Sequence, residues 1–172
     1  NGAGAPVSLG TTVADGSGKW AFTPATALPE GTYDFTAQAT NAAGTKGLVS
    51  APYALVIDTT APAAPAITTV TDDVGSKQGI VADKAATDDT TPTIVGTGAK
   101  VGDTIKVFDG AILLGTTTVK ADGTWSLTPT TTLADGVHTF TAREVDAAGN
   151  ESAPSNSYGV LIDTIAPAKP TI

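Results

Sequence analysis

GKWAFTP at residues 18–24 returns as GTWSLTP at 123–129, which sets Trp20 and Trp125 105 residues apart. The same offset aligns LGTT at 9–12 with LGTT at 114–117, and LPEGTYDFTA at 28–37 with LADGVHTFTA at 133–142, without a gap. NAAG at 41–44 falls on DAAG at 146–149, and IDTTAPAAP at 57–65 on IDTIAPAKP at 162–170. Close to half of the aligned positions from Leu9 to Ile67 are identical. A unit of this length exceeds the ~20–50 residues of a solenoid turn and is long enough to bury a core of its own. The chain therefore reads as tandem domains. Residues 1–58 are expected to be the C-terminal two-thirds of one unit and 59–65 a proline-rich linker. A complete unit spans 66–163, and 164–172 starts the next linker. Beginning at Asn1, inside a repeat, the chain is expected to be part of a longer array.

Within the complete unit the patterning is all β. Alternating Thr, Val and Ile are bounded by Gly, Pro and Asp-Gly signals, and no helical spacing holds over three turns. The strands expected are 66–71, 91–98, 104–108, 113–119, 124–128, 138–145 and 157–162. About seven strands per repeat is the count of an immunoglobulin-like β-sandwich.

Composition excludes several functions. The 172 residues carry a net charge of −8, with nine Lys and Arg in all. Such a surface repels phosphate backbones, so nucleic-acid binding is not expected. The absence of Cys removes disulfides, thiol nucleophiles and Cys-based metal sites. No apolar run reaches the ~20 residues of a membrane-spanning helix. A glycine-rich phosphate loop would need a helix after it, and a His-dependent triad would have to use His138, which only one repeat carries. No enzyme is expected.

The acidic residues are the candidate site. Asp72 and Asp73 follow the first strand of the complete unit, Asp88 and Asp89 precede the second, and Asp163 ends the last. With alternating strand directions, the first-to-second connection lies at the pole where the last strand leaves, so these five carboxylates are expected to converge there. Like charges at one pole repel unless a cation sits among them, and calcium accepts carboxylate, carbonyl and water oxygens in flexible geometry. Asp beside Gly, Thr and Pro is equally ordinary turn chemistry. In the first unit Asp58 stands where Asp163 stands in the second. Asp146–Asn150 is expected at the opposite pole as a tight turn.

TPTIVGTG at 91–98, GTWSLTP at 123–129, LADGVHTFTAREVDAAGNES at 133–152 and IDTIAP at 162–167 resemble the bacterial immunoglobulin-like repeats of giant secreted adhesins and biofilm-associated proteins. The resemblance implies an extracellular, calcium-binding stalk, with Asp58, Asp72, Asp73, Asp88, Asp89 and Asp163 as candidate ligands. Its partners would be the neighbouring repeats, with cell-surface or matrix ligands engaged by other regions. The alternative is a module that recognises polysaccharide or a host surface through its loops.

His138 takes the repeat position of Tyr33, which resembles the tyrosine corner of such sandwiches, so a structural role is expected for it. Trp20 and Trp125, and Tyr53 and Tyr158, are expected to pack in the cores of their units. Asn150-Glu-Ser152 fits a glycosylation sequon. Two prolines in each linker favour an extended path.

Overall fold

The computed structural model describes residues 6–171. It divides into two compact units, Asn1–Thr59 and Thr60–Ile172.

The first unit contains two two-stranded sheets among its described residues. β1 (Gly31–Phe35) pairs antiparallel with β4 (Tyr53–Ile57), and β2 (Gln38–Thr40) with β3 (Lys46–Val49). None of its described residues is buried.

The second unit is a sandwich of two sheets. One runs β11 (Thr124–Leu127), β8 (Thr93–Thr97), β5 (Ala66–Asp72), β6 (Gly79–Val81), all antiparallel. The other runs β10 (Ile112–Thr118), β9 (Thr104–Asp109), β12 (Gly136–Val145), β13 (Tyr158–Ile162), β7 (Ala85–Thr87). Its last pair, β13 with β7, is parallel. All seven expected strands are present, with ends shifted by a residue or two. Two more, β6 and β7, lie in the stretch between the first and second expected strands, which makes nine strands rather than seven. The chain folds back on β5 as β6 and then crosses to the opposite sheet as β7. Lys84 makes that crossing with a positive φ of 66° and donates its N–H to the Gly159 carbonyl at 2.7 Å. Buried Tyr158 of β13 donates its hydroxyl to the Val81 carbonyl of β6 at 2.7 Å and so ties the two sheets together.

Alternation places the core between the sheets. Val70, Ile94 and Trp125 come from one sheet; Ile105, Val107, Phe140 and Val160 come from the other; all are buried. Trp125 lies against Gly96 of β8, where a Cβ would collide with the indole ring and with the Ala66 carbonyl. Glycine at 96 thus creates the space that the largest core side chain fills.

The first unit corrects the packing expected from the repeat. Trp20 is 57% exposed and Tyr53 71%, whereas Trp125 and Tyr158 are 0% and 8% exposed. Residues 9–12 and 19–22 form no strand, although their counterparts lie in β10 and β11. The reason is pairing. In the second unit β10 lies on β9 and β11 on β8, and the described first unit has no strands equivalent to β8 and β9. A strand without a neighbour leaves its backbone groups to water and has no sheet to pack against.

This contrast sets the expected cost of losing each tryptophan. Trp125→Ala should destabilise the second unit by about 3–5 kcal/mol through the cavity it leaves. Trp20→Ala should stay within about 0.5 kcal/mol, as for an ordinary surface change. Urea unfolding followed by far-UV circular dichroism measures both.

Candidate functional site: the acidic pole of the second unit

The ends of β5, β7 and β13 and the start of β8 meet at one pole. β7 runs parallel to β13 with Thr87 beside Ile162, while Thr71 of β5 lies opposite Thr93 of β8. The Asp163 N–H donates to the Thr87 carbonyl at 2.9 Å, which joins the end of the last strand to β7.

Thr87 is the hub of this pole. Its buried hydroxyl donates to Oδ2 of Asp72 and accepts the Asp89 N–H at 3.1 Å. Oδ1 of Asp72 accepts the Val74 N–H at 2.9 Å, which shapes the turn after β5. Asp89 works the same way: Oδ1 accepts the Thr91 N–H at 2.8 Å, and Oδ2 lies 3.5 Å from the Asp73 nitrogen. Asp72 is 5% exposed and Asp89 1%, so each carboxylate needs such donors to be buried at all.

The other three expected residues are placed differently. Asp73 and Asp88 are exposed. The Asp88 carboxylate lies so close over Gly75 that a Cβ there would collide, and Gly75 has a φ of 63°, so both space and backbone call for glycine. Exposed Asp163 accepts the Ile165 N–H at 3.0 Å and turns the chain into the following linker. Asp58 is half-buried after β4 in the first unit, for which this chain has no residues corresponding to 72–89.

Calcium takes about six to eight oxygens. The pole does gather Asp72, Asp73, Asp89 and the backbone of Asp163 around Thr87. Yet the four oxygens of Asp72 and Asp89 already face N–H or O–H donors, and no three acidic or histidine side chains among the described residues are grouped to hold an ion. In this arrangement the carboxylates act as caps of the turns around β7.

A shallow groove of about 410 Å³ runs between β6 and β7, lined by Ile80, Val81, Ala85 and Ala86, with Asp72 and Thr87 at its polar end.

Sequence reading missed two polar contacts in this unit. Glu144 is fully buried; its carboxylate accepts the N–H groups of Ala99 and Lys100 at 2.6 and 2.8 Å and fixes the turn between β8 and β9. The signal was a charge at an inward position of β12, in step with Phe140 and Ala142. The second is Asp109, which meets His138.

The Asp146 loop is a turn closed from within. Oδ1 of Asp146 accepts the N–H groups of Ala148 and Asn150, both at 2.9 Å, and the Asn150 side-chain amide donates to Oδ2. The Asn150 amide bond, followed by the backbone donors, holds this carboxyl below its ordinary pKa. Asn41 builds the same turn in the first unit, with Oδ1 accepting from Ala43 and Thr45.

Thr87→Val should cost about 1–3 kcal/mol, because buried Asp72 loses its hydroxyl donor and the Asp89 N–H its acceptor. Asp163→Asn keeps the turn acceptor and should stay within about 0.5 kcal/mol. Chemical denaturation midpoints of the two variants give the comparison.

Several solved structures resemble this chain, two of them as follows. One is a biofilm associated protein BSP domain, at 23% identity and a TM-score of 0.41, covering 81% of this chain and 20% of that one. The other is a set of fibronectin(III)-like modules of CbhA from Clostridium thermocellum, at 15% identity and a TM-score of 0.48, covering 78% of this chain and 64% of that one. This chain thus spans about a fifth of the first structure and less than two thirds of the second. No curated protein matches the chain. The model of the bacterial Ig-like domain matches it twice, at residues 4–59 and 63–164, and the chain belongs to that family.

Proposed function

We propose that this chain supplies non-catalytic spacer repeats of a long bacterial surface adhesin, acting outside the cell in adhesion and biofilm formation. The observation that carries this reading is the gapless repeat in a chain that belongs to the bacterial Ig-like family. A unit copied at domain length serves extension, since each copy adds reach without adding chemistry. The partners in this reading are neighbouring repeats, with cell-surface or matrix ligands met by other regions of the adhesin. Nucleic-acid binding and membrane insertion of this segment form no part of it.

A catalytic role is not proposed. Both nitrogens of the single histidine are engaged, and the buried carboxylates cap backbone turns rather than face one another across a cleft.

Calcium stiffening is the second part of the proposal. Two buried carboxylates, with three more acidic residues at the same pole and no Lys or Arg paired to them among the described residues, support it. An ion there would recruit Asp73 and Asp88 from the exposed turns onto Asp72 and Asp89, with Asp163 and carbonyl oxygens completing the shell. Asp58 would play the part of Asp163 in the preceding unit.

Thermal melts in millimolar calcium, in magnesium and in excess EDTA test the metal. An independent site at a calcium level about 100 times its dissociation constant adds about 2.7 kcal/mol. The expected result is a calcium-specific rise in midpoint that Asp73→Asn and Asp88→Asn diminish. Identical melts would remove calcium and leave a spacer stiffened by its prolines.

The spacer role has its own test. Surface plasmon resonance over immobilised polysaccharides and matrix proteins should show no saturable binding. Saturable binding that is lost on Ile80→Glu, within the groove between β6 and β7, would replace the spacer with a ligand-recognition module.

A further inference from the structure

His138 is the only histidine of the chain, and both of its ring nitrogens face atoms that accept hydrogen bonds. Nδ1 lies 2.6 Å from Oδ2 of Asp109 on β9. Nε2 lies 2.8 Å from the carbonyl oxygen of Ala134, in the turn that precedes β12. Neither a carboxylate nor a carbonyl can donate. A neutral imidazole carries one N–H, so it satisfies one of these contacts and turns a lone pair toward the other. The imidazolium satisfies both.

The surroundings hold this geometry in place. The second oxygen of Asp109 accepts the Thr139 N–H at 3.0 Å, which fixes the carboxylate beside the ring. The imidazole stacks on Phe140 of the core, with centroids 6.3 Å apart. Side-chain exposures of 13% for His138 and 18% for Asp109 limit screening by water.

β9 brings Asp109, and β13 brings Val160, the register partner of His138. The preceding turn brings the Ala134 carbonyl, while the Asp135 carboxylate is turned to the N–H and hydroxyl of Thr164. Asp109 is the one charge among the described residues that acts on the ring. Partial burial opposes the charged form. The bonds to Asp109 and Ala134, with the charge of Asp109, outweigh it, and the net displacement of the imidazole pKa is upward.

We propose that His138 is a protonation-dependent lock joining β9 to the turn before β12, so that the second unit is tightest when the ring carries both protons and loosens when it loses one. The sign follows from linkage. A group that holds its proton more tightly folded than unfolded stabilises fully below the unfolded value, about 6.5 for imidazole. That stabilisation is lost as pH rises through the higher folded value. The first unit has no such lock. Tyr33 stands in place of His138 and donates its hydroxyl to the Pro29 carbonyl at 2.8 Å.

Because one histidine gives one set of imidazole signals, proton–nitrogen NMR of the intact 172-residue chain reads the lock directly. Expected are a titration midpoint above ~6.5, with both ring nitrogens protonated below it, and a fall of that midpoint toward ~6.5 in Asp109→Asn. A midpoint at or below ~6.5 would overturn the proposal. Melting midpoints across pH ~6–9 give the conformational readout. The wild-type midpoint should fall with rising pH over this range, and His138→Tyr, which installs the first repeat's own residue, should flatten that dependence. A slope unchanged in His138→Tyr would show that the pH response has another source.

Discussion

The contact of Trp125 with Gly96 concentrates the constraint on which the second unit depends. The indole fills the space between β11 and β8 and faces the core residues of the opposite sheet. Two sheets that share one core form together, because a single sheet would leave its inward face in water. The first unit shows the same rule from the other side. With its repeat of β11 but no strand equivalent to β8 among the described residues, Trp20 remains exposed and its segment stays irregular.

Three buried carboxylates of the second unit follow a common logic. Asp72, Asp89 and Glu144 are all buried, and each places its oxygens on donors, mostly backbone N–H groups, at the edge of a turn. A buried carboxylate without such donors would be costly, whereas one surrounded by them sets the conformation of the loop it caps. The carboxylates thus act on the connections while the apolar residues act on the sheets. His138 and Asp109 extend this scheme by linking a strand to a turn through an imidazole with an acceptor at each ring nitrogen.

These features suit a repeated structural element. Strand connections are pinned at both poles, and the chain leaves the unit through a linker that carries Pro167 and Pro170. The net charge of −8 opposes close approach of two such chains. Repeats that differ at a pinned position, as Tyr33 differs from His138, can share a fold while responding differently to pH.

Much of this was legible in the residues. The 105-residue offset, alternating Thr, Val and Ile and the Asp-Gly turns located all seven of the expected strands and marked the pole where Asp72, Asp89 and Asp163 would lie. Those signals are local: strand alternation and turn chemistry are written in a few adjacent positions. Whether a written strand forms is not local. LGTT at 114–117 lies within a strand and LGTT at 9–12 does not, because the first has β9 beside it and no strand among the described residues pairs with the second. The use of each polar group was decided at the same level. Thr87 became a hub, Glu144 a turn cap and Asp109 the partner of His138 only when distant segments met. The sequence determined which segments are able to be strands and where the chain turns. The tertiary structure decided which strands exist and which carboxylates are buried, because backbone pairing and desolvation depend on what lies opposite.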